Sequence, residues 1–133
     1  MALKLMYITN HPKVAQIAEA AGVDRIFVDM EYIGKSARQV GLDTVQSHHT
    51  LLDVAAIRNS ICKAELLVRC NPIHDASEGV MSTEEEIDGI ISNGADIVML
   101  PYFKTPDEVK RFLAAVRGRA QAMLLLETPE SVA

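Results

Sequence analysis

The sequence contains no long apolar run. None of its apolar segments approaches the roughly 18–20 consecutive residues that a helix needs to cross a bilayer. The first residues, MALKLMYITNHPK, hold an apolar stretch that is too short for a secretory signal peptide. We therefore expect a cytoplasmic protein without a membrane partner.

Cysteines are few, and basic residues are not clustered. The two cysteines, Cys62 and Cys70, match no metal-binding spacing, so we expect them to be reduced and buried and assign them no chemistry. The net charge is −5, and Lys and Arg do not gather beside aromatic residues, which argues against nucleic-acid binding. A small anionic ligand stays compatible with this charge because one well-placed arginine can hold a carboxylate.

The composition is that of a folded domain. Hydrophobic residues make up 49% of the 133 residues and charged residues 23%, which excludes disordered and collagen-like classes. The length fits one domain, so residues 1–133 are interpreted as a single domain.

Short apolar runs alternate with segments of helical spacing. Strands are predicted at 3–9, 25–31, 65–72, 96–103 and 121–127. Helices are predicted to begin at Asn10, Thr50, Ser82, Thr105 and Thr128, because each of these residues can cap a helix. Strands that are apolar without alternation and are separated by helices predict an α/β chain with a parallel sheet covered on both faces.

Two segments of the chain resemble each other. AGVDRIFVD (21–29) and NGADIVMLP (93–101) share a glycine, an aspartate two residues later, and then a strand. This pattern indicates either a repeated αβ unit or the common demands of any tight loop between a helix and a strand.

Charged residues gather where the predicted strands end. Asp29 and Glu31 follow the second strand, Arg69 the third and Glu127 the fifth, while the strand interiors are almost wholly apolar. In parallel α/β folds, ligands bind at the carboxyl ends of strands. Three acids and an arginine on one rim suit a divalent cation with an anionic oxygen ligand, and a structural salt-bridge network is the alternative.

Other polar residues have weaker patterns. His48 and His49 are expected to serve a loop, and His74 lies in a loop from which it could reach a substrate. Glu84-Glu85-Glu86 is typical of an acidic first helical turn. Tyr32 either donates a proton or packs.

These residues resemble the HpcH/HpaI aldolase and citrate lyase β-subunit family. FVDMEY (27–32), LLVRCNP (66–72), GADIVMLPYFKTPDEVKRF (94–112) and LLLETPESV (124–132) are similar to successive motifs of that family. The resemblance implies a parallel (β/α) barrel of TIM type, of which this chain holds about five βα units of eight. It also implies a metal-dependent carbon–carbon lyase that acts on a 2-oxo acid or on a citrate- or malyl-type carboxylate.

The resemblance assigns roles residue by residue. It implies that Glu127 binds Mg²⁺ or Mn²⁺, that Arg69 contacts the substrate carboxylate or enolate, and that Asp29 lies in the polar shell around them. Glu31 and Tyr32 are the remaining catalytic candidates, and Tyr32 stands where aldolases of the family have a histidine. The family's second metal carboxylate comes from a sixth strand, which would follow residue 133.

Three functional readings follow. The first is an aldolase or lyase whose substrate is a small 2-oxo acid or acyl thioester. The second is a non-catalytic fragment or anion-binding module of the same fold. The third is a doubly wound protein of flavodoxin type, which the lack of a Gly-rich loop after the first strand disfavours. Sequential strand order predicts a barrel. An open barrel arc exposes a strand edge, so we expect the chain to associate and the intact protein to be a homo-oligomer.

Overall fold

The computed structural model describes residues 2–34 and 49–133, in which strands and helices alternate. The strands are β1 Met6–Ile8, β2 Arg25–Asp29, β3 Glu65–Arg69, β4 Ile97–Leu100 and β5 Gln121–Leu124. The helices are α1 Pro12–Ala20, α2 Leu51–Ser60, α3 Thr83–Ser92, α4 Pro106–Val116 and α5 Pro129–Val132. None of these helices is long and apolar enough to cross a membrane.

The five strands form one parallel sheet in the order β1-β2-β3-β4-β5. Sequential order without a reversal is that of a barrel arc, and a doubly wound sheet would reverse direction at one strand. The predicted α/β class and partial TIM-type barrel are therefore confirmed, and the flavodoxin-type alternative is wrong.

Side-chain caps begin four of the five helices as predicted. Thr50, Ser82, Thr105 and Thr128 each accept a hydrogen bond from the backbone N–H three residues later, and each forms a capping box. The predicted cap at Asn10 is wrong: the N-cap of α1 is His11, and its side chain makes no capping bond. Pro12 fixes the start of α1 instead, because its ring presets a helical φ and it has no N–H to satisfy.

All five strands are shorter than predicted. The first strand begins three residues later than predicted, and each of the others ends two or three residues before its predicted end. The residues after β2 to β5 leave the sheet to form loops. After β4, for example, Tyr102 adopts a left-handed φ of 51°, which no strand residue has. Part of the polar stretch predicted at 32–49 lies outside the described residues.

The two faces of the sheet bury different residues. The face toward the helices holds the larger core, which includes Ile26, Val28, Leu66, Val68, Val98 and Leu100. The opposite, inner face holds a smaller apolar cluster of Phe27, Leu67, Ile97 and Met99, with Met123 and Leu125 packed against it. Because side chains alternate along a strand, the members of this inner cluster on β2, β3 and β4 lie on the face opposite the larger core.

The repeated segment noted in the sequence forms the same contacts twice. The carboxylate of Asp24 accepts a hydrogen bond from Leu5 N (2.9 Å), and its carbonyl oxygen accepts one from the first residue of β3 (2.9 Å). The carboxylate of Asp96 likewise accepts a bond from Leu66 N (2.8 Å), and its carbonyl oxygen accepts one from the first residue of β5 (3.0 Å). Each aspartate thus joins the strand before its own to the strand after it, which supports a repeated unit.

The two cysteines differ in exposure. Both are free thiols; Cys70 is buried in the core, whereas Cys62 is exposed in the loop before β3. The prediction of two buried cysteines is therefore wrong for Cys62, which lies where the chain leaves α2 and has no core to face.

Candidate active site at the carboxyl ends of the strands

The inner face of the sheet changes from apolar to charged toward the carboxyl ends of the strands. On β2, the inner position after Phe27 is Asp29, and on β3 the inner position after Leu67 is Arg69. Glu127 comes two residues after Leu125, which packs against the inner cluster. The alternation of side chains thus brings the charged residues to the upper end of one face. We call this end the rim.

Arg69 and Asp29 form the central ion pair of the rim. The guanidinium donates from Nε to Oδ1 (2.9 Å) and from Nη2 to Oδ2 (2.7 Å) of Asp29, which is only 2% exposed. The guanidinium carbon also lies 5.4 Å from the centre of the Phe27 ring. A bidentate pair on an aromatic base holds the arginine in one orientation.

Glu31 adds a second buried carboxylate beside this pair. Its Oε1 lies 4.0 Å from Arg69 Nε, and its backbone N–H donates to Asp29 Oδ1 (3.2 Å). Burial lowers the pKa of Arg69, but the hydrogen bond and charge of Asp29, with the charges of Glu31 and Glu127, outweigh it and raise that pKa overall. Arg69 is therefore always charged. The negative charge of Glu127 contributes to its raised pKa.

Glu127 is the exposed acid of the group. Its Oε1 accepts a hydrogen bond from the backbone N–H of Tyr102 (2.9 Å), which the left-handed backbone of that residue presents to it. The next residue, Thr128, is buried and donates from Oγ1 to Phe103 O (2.7 Å). The backbone of the loop after β4 thus binds the side chain of Glu127, which is still exposed to solvent.

The chemistry of these groups partly fits a divalent cation. Within residues 2–34 and 49–133, no three His, Cys, Asp or Glu side chains gather closely enough to hold a metal ion. Mg²⁺ is often bound by one or two carboxylates, with water and substrate oxygens completing its shell. Glu127 fits one such ligand, whereas both oxygens of Asp29 already bind Arg69. The described part of the chain thus supplies one carboxylate and not a complete cage.

His49 lies against the end of β2. Its Nδ1 accepts a hydrogen bond from the backbone N–H of Asp29 (2.8 Å), and its own backbone N–H donates to Asp29 O (3.3 Å). An Nδ1 that accepts a hydrogen bond carries no proton, so the proton of the neutral ring is on Nε2. No pattern in the sequence pairs His49 with Asp29, and His48 lies outside the described residues.

Asn71 and Glu86 form a buried contact that the sequence analysis missed. Glu86 is in the predicted acidic first turn of α3, but unlike Glu84 and Glu85 it is buried, and it binds Asn71. Asn71 in turn accepts bonds from the backbone of the loop that begins at Tyr32. The burial of Glu86 follows from its position on the helix face toward the sheet, one residue beyond the capping box.

Two further polar candidates, His74 and Tyr32, differ in their contacts. His74 Nδ1 lies 2.7 Å from Pro72 O and its Nε2 lies 2.7 Å from Met81 O, so both ring nitrogens serve its own loop rather than a substrate. Tyr32 is 51% exposed, so it is not packed into the core of the described residues, and its role stays a prediction.

Residues 4–126 match the family described as HpcH/HpaI aldolase/citrate lyase. The chain belongs to this family. The match covers β1 to β5 and the rim as far as Leu126, one residue before Glu127. No curated protein matches the chain significantly.

Solved structures share the fold at low sequence identity. "QR15, an Aldolase" is 16% identical with a TM-score of 0.60, over 92% of this chain and 57% of that one. Phosphonopyruvate hydrolase in complex with oxalate and Mg²⁺ is 18% identical with a TM-score of 0.55, over 97% and 45%. Oxaloacetate acetylhydrolase with the product oxalate is 15% identical with a TM-score of 0.62, over 90% and 42%. This member of the HpcH/HpaI family thus spans about half the length of these structures, and the likeness shows a common fold.

Proposed function

We propose that this chain is part of a metal-dependent carbon–carbon lyase or aldolase, which acts on a 2-oxo acid or a citrate- or malyl-type carboxylate through an enolate. The observation that carries the proposal is the charge of the rim. Asp29, Glu31 and Glu127 are three carboxylates around one guanidinium, Arg69. Such a group repels a carboxylate substrate, and a divalent cation cancels the excess negative charge.

Glu127 is the proposed cation ligand, because it is the exposed carboxylate of the rim and its position is held by Tyr102 N. Mg²⁺ or Mn²⁺, when bound, supplies Lewis-acid polarisation of the keto and carboxylate oxygens of a 2-oxo acid. Glu127 would supply one ligand to the cation, and Mg²⁺ in proteins usually completes its shell with water and substrate oxygens.

Arg69 is the proposed group for the substrate's negative charge. Asp29 accepts hydrogen bonds from two of the five N–H donors of the Arg69 guanidinium. These two bonds fix the orientation of the guanidinium, and the remaining donors are proposed to bind the substrate. Because the pair is held before substrate arrives, the donors need no rearrangement as the enolate charge develops. Asp29 acts through Arg69 and is a positioning residue in this scheme.

Proton transfer is assigned to Tyr32 or Glu31. Tyr32 follows the rim residue Glu31 directly and is 51% exposed, and Glu31 carries a buried carboxylate near Arg69. Tyr32 stands where aldolases of the family have a histidine, so its hydroxyl is the first candidate for the proton donor to the enolate.

Two lines of support come from the comparisons. Family membership favours aldolase or citrate lyase chemistry, and two proteins of the same fold were solved with oxalate, one of them with Mg²⁺. Oxalate is a small dicarboxylate that chelates a divalent cation as an enolate of pyruvate would. The whole enzyme is proposed to be a homo-oligomer.

Oxalate binding to the 133-residue chain tests the proposal, measured by calorimetry with and without Mg²⁺. We expect oxalate to bind when Mg²⁺ is present and to bind at least about tenfold more weakly without it. Glu127→Gln should abolish the Mg²⁺ effect. Glu130→Gln, an exposed acid on the adjoining helix, is the matched control and should retain it. Equal oxalate affinity with and without Mg²⁺ would overturn the metal role.

An anion-binding module is the second candidate function. It is favoured by the finding that residues 2–34 and 49–133 bring together no three metal-binding side chains. Pyruvate release from a 2-oxo acid aldol, tested with Mg²⁺ and Mn²⁺, separates the two functions. Binding without turnover supports the module for this chain, and turnover supports the lyase.

A further inference from the structure

A chain of hydrogen bonds, buried at Asn71 and Glu86, joins helix α3 to the loop that follows β2. The carboxylate of Glu86 accepts bonds from Asn71 N (2.6 Å) and Asn71 Nδ2 (2.6 Å). Asn71 Oδ1 accepts bonds from the backbone N–H groups of Tyr32 (2.8 Å) and Ile33 (2.9 Å). We call these four residues the amide relay.

The relay has one possible arrangement of donors and acceptors. Two backbone N–H groups face Asn71 Oδ1, so this atom must be the oxygen, and Nδ2 must then donate to Glu86. Glu86 in turn must accept two bonds, which an ionised carboxylate does best. Asn71 and Glu86 are 0% and 4% exposed, so water cannot replace a missing partner.

The relay connects the two strand ends that carry the central residues of the rim. Tyr32 follows Glu31 directly, and Asn71 comes two residues after Arg69. The bonds that Asn71 Oδ1 accepts fix the backbone immediately after Glu31, and the Glu31 N–H donates to Asp29. The loop that carries Glu31 and Tyr32 is therefore tied to the strand that carries Arg69.

We propose that Asn71 and Glu86 are positioning residues of the rim, which set the places of Glu31 and Tyr32 relative to Arg69. The consequence for substrate rests on the proposed function. The relay acts at a distance from the reacting atoms: Glu86 orients Asn71, and Asn71 holds the loop. A buried carboxylate that binds only amide groups is costly to desolvate, and an apolar residue would pack there at lower cost if stability alone mattered.

The pattern of donors and acceptors can be tested by exchanging the amide and the carboxylate between positions 71 and 86. Glu86→Gln replaces one acceptor by an NH₂ group that faces the NH₂ of Asn71, and Asn71→Asp places two carboxylates in contact. The double variant, Asn71→Asp with Glu86→Gln, restores every bond: the new carboxylate accepts from both loop N–H groups and from the new amide. Net charge and atom positions are then those of the natural pair.

Amide hydrogen exchange and oxalate binding with Mg²⁺ are the two measurements. In each single variant we expect exchange at Tyr32 and Ile33 to rise by about tenfold or more, since a lost buried bond has at least that effect. The amide of Leu66, bound to Asp96 at the other end of the sheet, should be unchanged after correction for global stability. Oxalate affinity should fall by about tenfold. The double variant should return both quantities to within about threefold of the natural chain.

Glu85→Gln is the matched control, because it changes the neighbouring acid of the same helix turn but touches the capping box rather than the relay. It should leave exchange at Tyr32 and Ile33 unaltered. If a single variant does not fold, the double variant decides alone: natural exchange and oxalate binding support the relay, and rapid exchange at Tyr32 overturns it. Unchanged exchange in folded single variants also overturns it.

The outcomes separate this proposal from the proposed function. If the natural chain binds no oxalate with Mg²⁺, the proposed function fails, while the exchange data still decide whether Asn71 and Glu86 hold the loop. If exchange responds as expected but oxalate affinity stays constant in both single variants, the relay is structural and the positioning role is refuted.

Discussion

Arg69 donates two hydrogen bonds to Asp29, the residue directly opposite it in the register of β2 and β3. The same two strands begin with another ion pair, in which Arg25 on β2 faces Glu65 on β3 at 3.3 Å. The charges are reversed between the two ends of the strand pair. The upper pair is bidentate and buried, whereas the lower pair has one hydrogen bond and a partly exposed glutamate. Variants of the two pairs therefore show how burial changes the contribution of an ion pair to stability.

We expect Asp29→Asn to lower the free energy of unfolding by about 3 kcal/mol, because it leaves Arg69 buried with a neutral partner. Glu65→Gln is the control on the same strand pair and should cost less than about 1 kcal/mol, since the Glu65 side chain is 37% exposed. Urea unfolding of both variants checks the difference. Equal losses would show that the rim pair contributes no more than a surface pair.

Glu127 and Arg69 should have separable effects in the intact enzyme. Glu127→Gln keeps an acceptor for Tyr102 N but is a poorer ligand for a hard cation, so it should raise the Mg²⁺ concentration needed for activity. Arg69→Lys loses the planar fork and should lower turnover by roughly 10²-fold, with metal affinity nearly unchanged. Metal titrations with steady-state kinetics measure both. Near-normal turnover in Arg69→Lys would return the arginine to a structural role.

Acid should weaken the contact between α3 and α4. The hydrogen bond from Arg111 lowers the pKa of Glu84 from 4.5 to about 2. A carboxyl whose pKa is depressed by folding stabilises the protein above its unfolded pKa, and this contribution is lost as pH falls from about 4.5 through about 2. The expected loss is below about 1 kcal/mol, because the Glu84 side chain is 47% exposed.

Urea midpoints between pH 5 and pH 2 measure this loss. Glu84→Gln should show a shallower decline than the natural chain over that range, and the two should converge near pH 2. Parallel curves would remove Glu84 from the acid response.

The two thiols should react at different rates. Burial is the main cause that raises the pKa of Cys70 well above its ordinary value, and the charge of Glu86 adds to it, whereas Cys62 is exposed. We expect one equivalent of an aromatic disulfide reagent to be consumed by the folded chain and two in denaturant. Rapid reaction of two equivalents under native conditions would show that β3 opens readily.

The isolated chain should associate. β1 and β5 lie at the two edges of the sheet, and the apolar side chains of Met6, Ile8 and Leu124 are 40% or more exposed. Exposed edges and apolar surface favour pairing with other chains. Sedimentation at several concentrations should show a mass that grows with concentration. A monomer that unfolds cooperatively at every concentration would contradict this.

Much of the fold could be predicted because the signals are local. The caps at Thr50, Ser82 and Thr105 each need only residues one turn apart, and the apolar runs of the strands are contiguous. The rim was predicted because Asp29 and Arg69 end neighbouring parallel strands, and the carboxyl ends of such strands lie at one edge of the sheet. The site roles of these residues stay predictions.

The amide relay and the position of His49 could not be predicted. Asn71 binds a loop 38 and 39 residues away in sequence, and no periodicity marks such a contact. The contact of Glu86 could not be predicted because acids are common in the first turn of a helix for a different reason, the favourable interaction with its N-terminus. His49 reaches Asp29 across 20 residues, and only the three-dimensional path of the chain brings them together.

The aspartates that join the strands, Asp24 and Asp96, lie at the amino ends of β2 and β4, opposite the rim. Their bonds involve no residue of the rim, so these two ties between strands are physically separate from the residues that are proposed to face a ligand. Evolution or a protein engineer can therefore exchange the loops above the rim without loosening these ties, and can strengthen the ties without altering what the rim binds.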